Sequence, residues 1–254
     1  MSEAIGAGQL DGKVALVVGG GGGLGRHIAV ALAREGADVA VAMVDGSDPV
    51  GSSGATTVVD ELEAVGATAH AVSCDVHDDG SVTAAVEAAV RAFGHLDIVV
   101  CNVGSPWHAS TLDTPVERWR EVVATTLDGV FVVTRAVLPH LLQRPAGSLI
   151  ALTTPAVHQP ALGSNAYWVA KAGVERYYLG LAHELAEHNI AVNCLAPKEV
   201  RTTARPGESD LTEELGEDPD AVARSAVFLA SQDATGETGR VVYSLDLLEE
   251  LARR

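Results

Sequence analysis

With 254 residues, 47% of them hydrophobic and 26 of them glycine, the chain can bury a full core and reads as one globular domain over residues 1–254. Its 34 acidic against 17 basic residues leave a net charge of −17. That balance argues against duplex nucleic acid or an anionic membrane as partner, since both are polyanions, but not against a small anion held by backbone amides.

The N-terminal stretch MSEAIGAGQLDGK lacks the basic start and apolar core of a signal peptide, so none is expected. No apolar run reads as reaching the ~18 residues of a membrane span, and a cytoplasmic location is expected. Cys74, Cys101 and Cys194 lie in or at the ends of apolar runs without metal-ligand spacing. Buried, reduced thiols and no metal are expected.

The first strand is predicted over 13–18 (KVALVV). It runs into VVGGGGGLGRHIA (17–29), where Gly19, Gly23 and Gly25 separate it from a helix over 24–35. Missing side chains there let backbone approach a pyrophosphate, and the helix N-terminus offers N–H groups and a positive dipole end. A glycine turn alone fits several patterns; its place between a strand and an amphipathic helix favours dinucleotide binding over a merely flexible turn. A second strand over 38–43 leads into the long connection VDGSDPVGSSG (44–54). Helices over 55–65, 80–93, 115–143 and 165–187 then alternate with strands over 68–73, 96–101, 148–153 and 190–195. The polar, acidic segment 198–220 precedes a helix over 219–232 and a last strand over 240–244.

Strands this apolar suit a sheet covered on both faces. The alternation predicts an α/β, Rossmann-type, doubly wound fold: a seven-stranded parallel sheet with helices on both faces and right-handed crossovers. Ligands bind outside the carboxyl ends of such strands, where both long connections lie, and 198–220 reads as a substrate lid.

SNAYWVAKAG (164–173) sets Tyr167 and Lys171 four apart in an apolar helix, so the two side chains share one face. An adjacent cation favours the phenolate, lowering a phenol pKa from near ~10 toward the working range of a general acid/base. Such spacing is also common by chance, as a buried tyrosine beside a surface lysine.

With these motifs the chain resembles the short-chain dehydrogenase/reductase family over nearly all its length. Gly19, Gly23 and Gly25 match the family's G-x-x-x-G-x-G cofactor form, with Leu24 inside it. CDV (74–76) looks like its adenine-contacting segment, Asp75 and Val76. CNVG (101–104) resembles its N-N-A-G turn through Asn102 and Gly104, and Tyr167 and Lys171 match Y-x-x-x-K. NCLAPKEVRT (193–202) resembles the stretch flanking the nicotinamide, carrying Pro197, Val200 and Thr202. The resemblance implies hydride transfer between a nicotinamide and a carbinol or carbonyl carbon. Tyr167 would exchange the proton with the substrate oxygen. Lys171 would lower the tyrosine pKa and bond the cofactor ribose. The family's substrate-orienting serine, thirteen residues before the tyrosine, is here Thr154, which keeps the hydroxyl on a stiffer side chain; Thr153 is a lesser substitute.

Four positions depart from the family. Val18 replaces a threonine before the glycine turn, and Thr126 in TTLDG replaces a relay asparagine. Lys198 replaces a glycine after Pro197, and SLDLLEELARR stands where D-G-G would follow the last strand. The family's acidic position at the end of the second strand is Met43, with Asp45 two residues on, and no cation occurs among 43–54 or before Arg26 in the glycine turn. NAD is thereby weakly preferred over NADP. Candidate pocket walls are Trp107, His108, His158, Gln159, Leu162 and Trp168, an apolar lining suited to a small neutral alcohol or ketone; a Trp beside a helix tyrosine more often packs in the core or at a subunit contact than touches substrate. The resemblance implies a homotetramer or dimer assembled through the helices over 115–143 and 165–187. The reading is an NAD(P)-dependent oxidoreductase acting on a secondary alcohol or its ketone, with Tyr167, Lys171, Thr154 and Thr126 as catalytic candidates. The alternative is the same fold used for a non-redox elimination or isomerisation, or for cofactor binding without turnover.

Overall fold

Apolar side chains on both faces of nearly every strand decide the architecture. The computed structural model describes residues 8–44, 54–158, 163–198, 200–202 and 213–254, with 54–57, 200–202 and 213–215 described by backbone alone. Asp45, Gln159 and Leu162 lie outside the described residues. Strands β1 (Val14–Val18), β2 (Asp38–Met43), β3 (Ala69–Ser73), β4 (Ile98–Cys101), β5 (Gly147–Leu152), β6 (Ile190–Ala196) and a later one, β9 (Val241–Tyr243), form one sheet. Its order is β3-β2-β1-β4-β5-β6-β9, parallel throughout. Helices α1 (Gly23–Arg34), α2 (Gly54–Ala64), α3 (Asp79–Phe93), α4 (Val116–Val123), α5 (Gly129–Leu141), α6 (Asn165–Leu185) and α7 (Pro219–Ala230) supply the crossovers. One face buries Leu16, Val99, Leu149 and Val192 against α3, α5 and α6; the other buries Val17, Val39, Ile150 and Leu195 against α1 and α7. The expected doubly wound, seven-stranded parallel sheet is the observed one.

Strand order reverses between β1 and β4, which opens a crevice at their carboxyl ends. The opposite edge is closed by buried Asp97. Its carboxylate accepts from the Val14 N–H (3.0 Å) and from Arg144 Nε (2.8 Å).

Four points of the sequence reading need correction. The helix expected over 115–143 is α4 and α5 joined by a π-helical turn, Ala124–Asp128. The stretch Val116–Leu141 is also long and apolar enough to cross a membrane, contrary to the reading of the runs; Val130, Val133, Val137 and Leu141 are buried against the sheet, as in a core helix. In the polar segment, Val200–Thr202 (β7) pairs antiparallel with Glu213–Leu215 (β8). Finally, SLDLLEELARR forms a helix, α8 (Ser244–Ala252), with Leu247 buried beside α7. Its Leu247, Leu248 and Leu251 spacing carried that signal.

All three cysteines are buried and unpaired. Burial pushes the Cys74 and Cys101 thiols up to about 11 and Cys194 higher still. Below the ordinary thiol range both folded and unfolded chains hold these protons. Past about pH 8.5 the unfolded chain releases protons that the folded chain keeps, so stability falls with rising pH. The loss from Cys74 and Cys101 is complete once they ionise in the folded state near pH 11. A thermal-melt series in pH should show this decline. A thiol reagent at about pH 8 should label the cysteines only in denaturant.

Candidate active site

The glycine turn is held in shape from two sides. Gly19 has φ +76°, and a Cβ there would collide with the Asn102 carbonyl oxygen. Its N–H donates to Ala42 O (2.8 Å), while Asn102 donates from Nδ2 to Gly19 O (3.0 Å) and from its N–H to Val18 O (2.9 Å). A Cβ on Gly25 would meet the Gly19 carbonyl oxygen, so helix and turn touch only because neither carries a side chain. Gly23, at φ +51°, faces open space, and no side chain caps the start of α1. Backbone N–H groups at the start of α1 therefore meet no capping side chain, which fits a pyrophosphate there. Leu24 lies half-buried against the α1 core. Val18 is buried in the sheet core.

Met43 lies so close to Gly21 that a Cβ there would overlap its methyl group. The position thus offers a thioether where the resemblance expected a carboxylate. Arg26 is bound by Glu61 of α2 through Nε (2.9 Å) and its terminal nitrogen, and this hydrogen bond holds the Glu61 carboxyl below its usual range.

Tyr167 and Lys171 stand one turn apart on α6, 8% and 2% exposed. Lys171 Nζ donates to Val103 O (2.9 Å), just past β4, and to Leu152 O (2.6 Å), the end of β5. It lies 5.6 Å from the centroid of the Tyr167 ring. Both side chains close on Gly104: a Cβ there would sit 3.1 Å from the ring, 3.3 Å from the phenolic oxygen and 3.4 Å from Lys171 Cε. The missing side chain at 104 leaves the phenol and ammonium in one small volume.

The hydroxyl candidates lie past the end of β5 and in the π-helical turn. Thr154, buried two residues past Leu152, caps a 3-10 turn, Pro155–Val157, accepting from the Ala156 N–H (3.4 Å). Thr153 donates instead to Glu175 Oε1 (2.7 Å), so its hydroxyl is committed to α6. Thr126 is buried in the π-helical turn and accepts from the Ser105 N–H (3.2 Å), the residue after Gly104. π-Turns of this kind recur at functional sites.

Other expected residues are placed as follows. Asp75 accepts from the His77 N–H (2.9 Å) within its own turn, and Val76 packs beside Gly129. Pro197 is buried at the end of β6; Val200 and Thr202 belong to β7. Lys198 is drawn toward α8: its ammonium pairs with Asp246, and its N–H donates to Glu217 (2.9 Å) and Ser244 Oγ (3.3 Å). Trp107 and Trp168 pack with Val122, Ala166 and Tyr167, and the Arg118 guanidinium covers the Trp107 ring at 4.7 Å. His108 Nδ1 meets Ser164 Oγ (3.2 Å) ahead of α6. His158 meets Glu175 Oε2 (2.8 Å). Glu175 was missed in the sequence; the signal was an acid four residues beyond Lys171, on the same helical stripe.

The short chain dehydrogenase family profile matches residues 13–212. The 7alpha-hydroxysteroid dehydrogenase of Escherichia coli is 28% identical over 246 residues, covering 92% of this chain and 93% of the relative. A 3-oxoacyl-(acyl-carrier-protein) reductase FabG of Staphylococcus aureus is 33% identical over 243 residues, covering 91% and 96%. Among solved structures, carveol dehydrogenase from Mycobacterium avium in complex with NAD is similar with a TM-score of 0.81 at 26% identity, covering 94% of this chain and 99% of that one.

Gly19→Ala is expected to destabilise the protein by about 1–3 kcal/mol, since positive φ and the collision with Asn102 O act together. Gly23→Ala meets open space and should cost about 1 kcal/mol from backbone strain alone. Denaturant titration of the two variants checks the difference.

Proposed function

The chain belongs to the short chain dehydrogenase family and is an oxidoreductase enzyme; from that premise we propose that it moves a hydride between NAD and a small neutral secondary alcohol or its ketone. The carrying observation is the closure of Tyr167 and Lys171 on Gly104. When bound, the nicotinamide supplies or takes the hydride. Tyr167 gives its proton to the substrate oxygen in reduction and takes it in oxidation. Lys171, held by Val103 O and Leu152 O, places a cation that favours the phenolate. Thr154 orients the substrate oxygen, and Thr126 lies at the far side of the Gly104 turn as a minor partner.

Gly19, Gly23, Leu24, Gly25, Asn102 and Gly104 would hold the nucleotide, with Asp75 and Val76 toward the base and Pro197, Val200 and Thr202 toward the nicotinamide. Preference for NAD over NADP is supported by Arg26 being taken by Glu61, which leaves a 2′-phosphate competing with a carboxylate. The NAD-bound carveol dehydrogenase is consistent with it. Trp107 and Trp168 beside Tyr167 suit an uncharged, largely apolar substrate. The segment 198–220 serves as lid, tied at Lys198 and Glu217 to Ser244. Exposed Val116, Trp119, Phe131 and Val169 on α4–α6 support assembly as a dimer or tetramer. Buried unpaired thiols suit the cytoplasm.

Fluorescence titration with NADH and NADPH, then a panel of ketones and alcohols, tests this reading. NADH is expected to bind more tightly than NADPH. Tyr167→Phe should lower kcat at least about 100-fold while nucleotide affinity stays within about twofold, because the ring still packs. Failure to bind either nucleotide overturns the redox reading. Binding without turnover that Tyr167→Phe leaves unchanged favours a cofactor-binding protein.

A further inference from the structure

Glu175 lies one turn beyond Lys171 and two beyond Tyr167, so the three side chains share a stripe of α6. Its residue is 4% exposed. A buried carboxylate is unfavourable unless each oxygen finds a donor, and an apolar residue of similar size serves a packed helix face at least as well. Here both oxygens are engaged: Oε1 accepts from Thr153 Oγ1 at 2.7 Å, and Oε2 meets His158 Nε2 at 2.8 Å. An ionised carboxylate only accepts, so Nε2 carries the proton. The His158 side chain is 53% exposed and closes the carboxylate from the solvent side.

The two partners bracket one residue of the proposed site. Thr153 precedes Thr154, the 3-10 turn Pro155–Val157 follows it, and His158 ends the segment. Leu152, immediately before, gives its carbonyl to Lys171. Thus α6 grips the end of β5 at Leu152, at Thr153 and again at His158, with Thr154 between the grips. Thr154 follows Thr153 in extended backbone (φ −139°, ψ 145°) and caps the turn that leads to His158, so fixing Thr153 and His158 on Glu175 restrains the backbone that carries the Thr154 hydroxyl. The charge of Glu175 is also felt across the sheet: after burial it is the next cause pushing up the Cys194 thiol on β6 and the Tyr243 phenol on β9.

We propose that Glu175 is a positioning residue of the active site, its carboxylate bridging Thr153 and His158 so that the intervening Thr154 hydroxyl is presented to the substrate oxygen beside Tyr167. This rests on the oxidoreductase reading above. Glu175 touches neither substrate nor nucleotide and acts through Thr153. Gln at 175 keeps an acceptor for the Thr153 hydroxyl and a donor for the other imidazole tautomer; Leu keeps neither.

The test compares Glu175→Leu, Glu175→Gln and Thr153→Val with wild type, using the nucleotide that binds and the best substrate of the panel. Loss of orientation predicts that Glu175→Leu lowers kcat about 100-fold with nucleotide affinity within about twofold. Glu175→Gln should recover kcat to within about fivefold of wild type, and Thr153→Val should lose about tenfold. In the nucleotide-free protein, the His158 ring ¹⁵N resonances should shift in Glu175→Leu. If Glu175→Leu does not fold, the Gln and Thr153→Val variants carry the comparison. The proposal is overturned if the Leu or Val variant turns over within about threefold of wild type. It is equally overturned if Gln is as impaired as Leu, which would make the charge and not the bridge the requirement. A wild-type protein without turnover on any panel member defeats the oxidoreductase reading itself, and this inference with it, before any Glu175 variant is made.

Discussion

One buried ammonium organises the active side of the sheet. Lys171 leaves water almost completely, and the cost of that is offset by carbonyl oxygens at the ends of two adjacent strands, Val103 O and Leu152 O. Those carbonyls converge because β4 and β5 are parallel neighbours, their register running to Cys101 against Ala151. The lysine can reach them because α6 crosses the strand ends there. The glycine at 104 then decides what else fits: without a Cβ, the phenol of Tyr167 enters the same space. Sheet order, helix placement and one absent side chain together bring a phenol and an ammonium into one small volume.

The same logic separates the two ends of the sheet. At the amino edge, Asp97 is buried against Val14 N–H and Arg144, and its hydrogen bonds are all spent inside the protein. At the carboxyl edge, the helix start at Gly23 has no side-chain cap and faces open space. Polar groups satisfied within the fold stabilise it; polar groups left without a capping side chain are available to a ligand.

The fold was legible because strand composition and alternation are local signals that tertiary packing reinforces. The glycine turn, CNVG and the Tyr167–Lys171 spacing were legible because each depends on short separations. What escaped were relations between distant residues. Glu175 reads as an ordinary helix acid until Thr153 and His158, 22 and 17 positions away, are seen on its two oxygens. The π-turn around Thr126 leaves a continuous helical period in the sequence, since one wider turn shifts the apolar face without interrupting it. Helix α8 is a further case: its signal is the short Leu247, Leu248 and Leu251 spacing in a segment where the family pattern has D-G-G.

The departures from the family pattern also change in number once their contacts are known. Val18 spends its side chain in the sheet core, away from the glycine turn's own hydrogen bonds, which Asn102 and Ala42 supply. Lys198 and the divergent C-terminus are one departure, because the added cation is met by Asp246 of the added helix. Ser244 at that helix's start bonds the Lys198 N–H and Glu217 together. A lone lysine after Pro197 would bring positive charge toward the nucleotide; a lysine paired with α8 instead ties the ends of the polar segment to the C-terminal helix. The remaining departures are Thr154 and Thr126, and each retains a hydroxyl engaged with backbone, Thr154 at the Ala156 N–H and Thr126 at the Ser105 N–H beside Gly104. Substitutions confined to hydroxyl-for-hydroxyl and hydroxyl-for-amide keep a polar group at each of these positions, in keeping with the oxidoreductase family to which the chain belongs.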